Sequence, residues 1–88
     1  MYDVGLTYRA QKILSGYSLS LQKRIKDKLL LLGADPVPHG AKYLGRVEGN
    51  NTFRIRIGTH RALYTVIDSQ NLILVTKIDK RYRIYDSN

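Results

Sequence analysis

Residues 53–57 read Phe-Arg-Ile-Arg-Ile, a strict alternation of apolar and guanidinium side chains. A strand sorts such a sequence by face, with Phe53, Ile55 and Ile57 on one side and Arg54 and Arg56 on the other. The segment therefore belongs to a sheet with one face on a core and the other cationic. Residues 61–67, Arg-Ala-Leu-Tyr-Thr-Val-Ile, follow after Gly58-Thr59-His60. If Arg56 stands opposite Arg61 across the turn at Gly58, then Arg54, Arg56 and Arg61 share one face. The same register gathers Phe53, Ile55, Ala62 and Tyr64 on the core face. A cationic face backed by a core suits a polyanion, and RNA is the first candidate.

The remaining chain supplies the layer that covers the core face. Residues 2–7 alternate Val4 and Leu6 against Asp3 and Gly5, which predicts a first strand. A helix follows over Tyr8–Ser15, with Ala10, Ile13 and Leu14 as its buried stripe, and Gly16-Tyr17-Ser18 breaks it. In a second helix Leu21, Ile25, Leu29 and Leu32 recur at helical spacing, while Lys23, Arg24, Lys26, Asp27 and Lys28 form a solvated face. Ser18 or Ser20 caps its start, and Gly33 with Asp35-Pro36-Val37-Pro38 stops it.

Beyond Gly40 the period becomes two. A short strand is expected at Lys42–Val47, then a turn at 48–51, strands at 52–57 and 61–67, a turn at 68–71 and a last strand at 72–78. Leu72-Ile-Leu-Val75 is apolar on both faces, which predicts a central position. The order β-α-α-β-β-β defines an α+β fold: an antiparallel sheet of about four strands packed against an N-terminal helical hairpin. One domain over residues 1–88 is expected.

Fifteen Lys and Arg against seven Asp and Glu give a net charge of +8, which calls for an acidic partner. The absence of cysteine excludes a disulfide framework, a thiolate zinc site and a cysteine nucleophile. His39 and His60 are too far apart in sequence to suggest a metal site, and neither metal nor cofactor is expected. No apolar run approaches the ~20 residues of a membrane span. The first residues lack the basic and apolar regions of a signal peptide, so a cytoplasmic protein without membrane association is expected.

In order and spacing the chain resembles the RelE/ParE superfamily of toxins. The resemblance runs through the helical hairpin ending at Asp35-Pro36-x-Pro38, Phe53-Arg-Ile-Arg-Ile-Gly58, His60-Arg-Ala-Leu-Tyr64 and Lys80-Arg81-x-x-Ile84-Tyr85. It implies a toxin that enters the ribosomal A site and cuts mRNA. It also implies a cognate RelB-like antitoxin, with the two chains forming an oligomeric complex. The family's active positions correspond here to Arg54, Arg56, Arg61, Arg81 and Tyr85.

RNA cleavage by its own 2′-hydroxyl needs a base at that hydroxyl, positive charge on the phosphate and a proton for the leaving 5′-oxygen. Arginine suits the phosphate, because its planar fork donates to two oxygens at once. It does not serve as a base, since it stays protonated. The family commonly carries lysine at one or both of the positions held here by Arg54 and Arg56. Tyr85 and Lys80 are the alternative bases, with Tyr82 and Arg83 in a second tier. His60 titrates in a suitable range but falls on the face opposite Arg61. Two other functions share the fold: a ParE-like toxin that inhibits DNA gyrase by binding, and an inactive member that binds only RNA or antitoxin.

Overall fold

A computed structural model describes residues 1–80. The chain runs β1 (Asp3–Leu6), α1 (Tyr8–Ser15), α2 (Leu19–Leu30), β2 (Lys42–Val47), β3 (Asn50–Ile57), β4 (His60–Ile67) and β5 (Leu72–Lys80). The strands form one sheet in the order β1-β5-β4-β3-β2. The α+β class holds, but there are five strands, and β1 lies parallel to β5 while every other pair is antiparallel. β5 is interior as expected, although the middle strand is β4.

Local chemistry sets the helix boundaries. Thr7 accepts a hydrogen bond from the Ala10 amide and caps α1, and Ser18 does the same for α2 from the Leu21 amide. Ala10 and Leu14 are buried, whereas Ile13 is 43% exposed. The reason is angular: at 100° per residue Ile13 lies on the flank of the Ala10–Leu14 stripe, and so short a helix buries only its centre line. On α2, Ile25 and Leu29 are fully enclosed, and a 3-10 turn over Leu31–Gly33 tucks Leu32 in behind them.

Gly33 closes the helical layer, as its place before Asp35-Pro36 suggests, and does so without a left-handed turn. Its φ is not positive; what it supplies is room. The Tyr2 amide donates to the Gly33 carbonyl at 2.8 Å, and a Cβ at position 33 would stand 2.7 Å from the Tyr2 carbonyl oxygen. The glycine lets the start of β1 lie directly against the end of the helical layer.

One core fills the space between helices and sheet. It joins Ala10, Leu14, Ile25, Leu29 and Leu32 to Phe53, Ile55, Ile57, Ala62, Tyr64, Ile73, Val75 and Ile78. Each fully buried large side chain contributes roughly 1.5–3 kcal/mol. Across the sheet runs an aromatic row in register, Tyr43 on β2, Phe53 on β3 and Tyr64 on β4. The Tyr43 ring meets Phe53 edge-on at 5.6 Å, and Phe53 stacks on Tyr64 at 5.6 Å. Tyr64 is wholly buried, and its hydroxyl donates to the Pro36 carbonyl at 2.7 Å, pinning the loop before β2.

Two bulges interrupt the ladders. Tyr43 pairs with Phe53 and Gly45 with Thr52, so Leu44 is an extra residue in β2. Leu63 pairs with Lys77 and Tyr64 with Val75, so Thr76 is an extra residue in β5. Each reverses which face the residues beyond it present.

Candidate functional site

The link between β3 and β4 is two residues, Gly58-Thr59, between the paired Ile57 and His60. Gly58 sits at φ +62° and Thr59 is not left-handed, the arrangement of a type II′ turn, which favours glycine at its first central position. A Cβ there would also lie 2.9 Å from the terminal Arg24 nitrogen that α2 holds over the turn. This turn sets Arg56 opposite Arg61, Ile55 opposite Ala62 and Phe53 opposite Tyr64. The register inferred from the alternation is the one observed.

On the face away from the helices, Arg54, Arg56 and Arg61 line one open depression of about 390 Å³ together with Gly40 and Lys42. Lys42 was not among the expected site residues. It stands directly opposite Arg54 across β2 and β3. Two like-charged cross-strand pairs, Lys42–Arg54 and Arg56–Arg61, thus adjoin on one face. Direct opposition of like charges destabilises a sheet, so their convergence suits a surface that receives an anion. Arg61 is buried at 4% exposure, Arg54 is half-buried, and Arg56 and Lys42 are exposed. The depression thus grades from an enclosed guanidinium to solvent-facing cations, a gradient suited to a phosphate entering from solvent.

Lys80 does not join this group. It pairs with His60, and the two occupy the opposite face. His60 is 6% exposed, its ring meets Tyr17 edge-on at 5.0 Å, and its Nδ1 lies 3.3 Å from the Thr59 hydroxyl. Burial, and then the charges of Lys80 and Arg24 against an opposing effect of Asp79, lower its pKa from the usual 6.5. The unfolded chain therefore binds this proton more readily, and stability contributed by neutral His60 is lost as pH falls below about 6.5. Urea unfolding followed from about pH 8 to about pH 5 should show that decline, and His60→Phe should flatten it. An unchanged slope in the variant would assign the acid sensitivity elsewhere.

Asp79 stands opposite Arg61 in the ladder, yet its side chain is engaged elsewhere. With Arg9, Ile13 and Lys77 it lines a separate cleft beside α1, and its carboxylate accepts the Lys80 amide at 2.7 Å. Glu48 lies in the β2–β3 turn. The other expected site residues, Arg81, Tyr82, Arg83 and Tyr85, lie outside the described residues. Among the described residues no three His, Cys, Asp or Glu side chains are grouped to hold a metal ion. Nor is any described helix long and apolar enough to cross a membrane.

A helical hairpin on one sheet face and a cationic depression on the other make up this small α+β domain. Residues 6–85 match the family model described as the ParE toxin of the type II toxin-antitoxin system parDE, and the chain belongs to that family. It is 28% identical over 85 residues to RelE1, a candidate toxin of Methanocaldococcus jannaschii, covering 96% of this chain and 94% of that protein. Its fold is similar to the archaeal RelE–RelB complex of Pyrococcus horikoshii, with a TM-score of 0.81, 24% identity and coverage of 93% and 97% of the two chains. It is also similar to the RelBE2 toxin–antitoxin complex of Mycobacterium tuberculosis, with a TM-score of 0.75, 27% identity and 91% of each chain covered.

Proposed function

We propose that this chain is a ribosome-dependent endoribonuclease that cuts mRNA in the ribosomal A site and is held inactive by a RelB-like antitoxin. The observation that carries the reading is the depression in which a fixed strand register converges Lys42, Arg54, Arg56 and Arg61. A phosphodiester seated there meets guanidinium groups from two adjacent strands, which position it and stabilise the charge that develops on phosphorus. The net charge of +8 suits both an RNA substrate and an acidic inhibitory partner. The similar folds from P. horikoshii and M. tuberculosis were solved as toxin–antitoxin complexes, which supports an antitoxin here. Arg81 and Tyr85 complete the proposed set, by resemblance, as a further phosphate ligand and a stacking or proton-transferring group.

Induced expression tests the proposal. Growth should stop, and primer extension should map cuts at defined codon positions in translated mRNA. Cuts in untranslated RNA would sink the ribosome-dependent reading. DNA damage signalling without mRNA cuts would instead favour gyrase inhibition, the second reading, to which the family's ParE description points.

A further inference from the structure

Three arginines around a depression can hold a phosphate, but none can take the proton of the attacking hydroxyl. Of the described side chains that line the depression, Lys42 alone is an amine. It is exposed, and its Cα faces that of Arg54 across the ladder. Its placement depends on the bulge in β2. Counting back from the Val47–Asn50 pair without an extra residue would set Lys42 opposite Ile55, on the core face. The extra Leu44, with Tyr43 fixed against Phe53, turns Lys42 to the arginine face instead. Of the proton acceptors named above, His60 and Lys80 lie on the helix side, Asp79 lines the cleft beside α1, and Glu48 lies in the β2–β3 turn.

The geometry points to Lys42 as the general base that activates the ribose 2′-hydroxyl, a deepening that rests on the nuclease reading above. The neutral amine takes the 2′ proton as the 2′-oxygen bonds to the adjacent phosphorus. The bond from phosphorus to the 5′-oxygen breaks, leaving a 2′,3′-cyclic phosphate. Solvent water protonates the departing 5′-oxygen, and the Lys42 ammonium returns its proton to the hydroxide so formed. Arg54, Arg56 and Arg61 carry the phosphate charge throughout.

Charge and proton transfer are separated by Lys42→Arg, which keeps the first and abolishes the second. Single-turnover cleavage on programmed ribosomes is measured across pH for wild type, K42R, K42A and Tyr85→Phe. A wild-type rate climbing with pH, and a K42R rate lower by about 100-fold or more with a flattened profile, are expected. Added ethylamine should restore part of the K42A rate, an effect that lost packing or misfolding would not produce. A K42R rate within about tenfold of wild type with the same pH profile would reduce Lys42 to a phosphate ligand and overturn the assignment. A flattened profile in Y85F but not in K42R would transfer the role to the tyrosine. No cleavage by wild type overturns the nuclease reading itself and the base with it.

Discussion

Arg61→Ala is expected to lower ribosome-dependent cleavage by about 100- to 1,000-fold, the usual consequence of removing one preorganised charge-stabilising donor. Arg61 is the enclosed member of the depression, at 4% exposure. A charge held away from solvent is screened less than the exposed Arg56 and acts more strongly on a bound phosphate. Arg61→Lys should recover only part of the loss, because an ammonium keeps the charge without the two-pronged donor. Thermal unfolding of the same variants separates this effect from damage to the fold. A folded Arg61→Ala protein that cleaves within about tenfold of wild type would remove Arg61 from the reaction.

The second large effect falls on stability. Tyr64→Ala should destabilise the protein by about 3–5 kcal/mol, a large share of the roughly 5–15 kcal/mol that holds a small domain together. The side chain is wholly buried, stacks on Phe53 and ties the Pro36 loop to the sheet. Tyr64→Phe isolates the last of these and should cost about 1 kcal/mol. The hydroxyl also creates an alkaline limit. Burial, and next the neighbouring Asp35 carboxylate, push its pKa up from 10.0 to about 12. Here the unfolded chain loses the proton first, so stability is intact below pH 10 and drains away as pH rises toward 12. Tyr64→Phe should lack that part of the decline. Urea titration of both variants reads all three effects, and a loss below about 1 kcal/mol for Tyr64→Ala would contradict the packing described.

What could be read from the sequence was whatever depends on near neighbours. Thr7 and Ser18 announce the starts of the helices, and the two-residue link at Gly58-Thr59 fixes Arg56 against Arg61. What could not be read depends on distant partners. The parallel pairing of β1 with β5 joins residues about seventy positions apart, and nothing in Asp3–Leu6 specifies its direction. Gly33 looks like a helix stop alone until Tyr2 is seen against it. Lys42 was hidden for another reason. Alternation assigns faces only while the ladder is unbroken, and Leu44 breaks it two residues after the lysine.

The same bulge bears on how this protein is to be compared with its relatives. A residue such as Leu44, half exposed on an edge strand and touching no phosphate, would pass in any list of site residues as irrelevant. Yet if the same residues paired without that bulge, Lys42 would slip by one step to stand opposite Ile55 and turn inward while every arginine stayed in place. Chemistry in this fold is therefore open to change by where a strand bulges as well as by its letters. Two sequences with identical cationic residues can differ in what they do to RNA through the pairing of one uncharged residue.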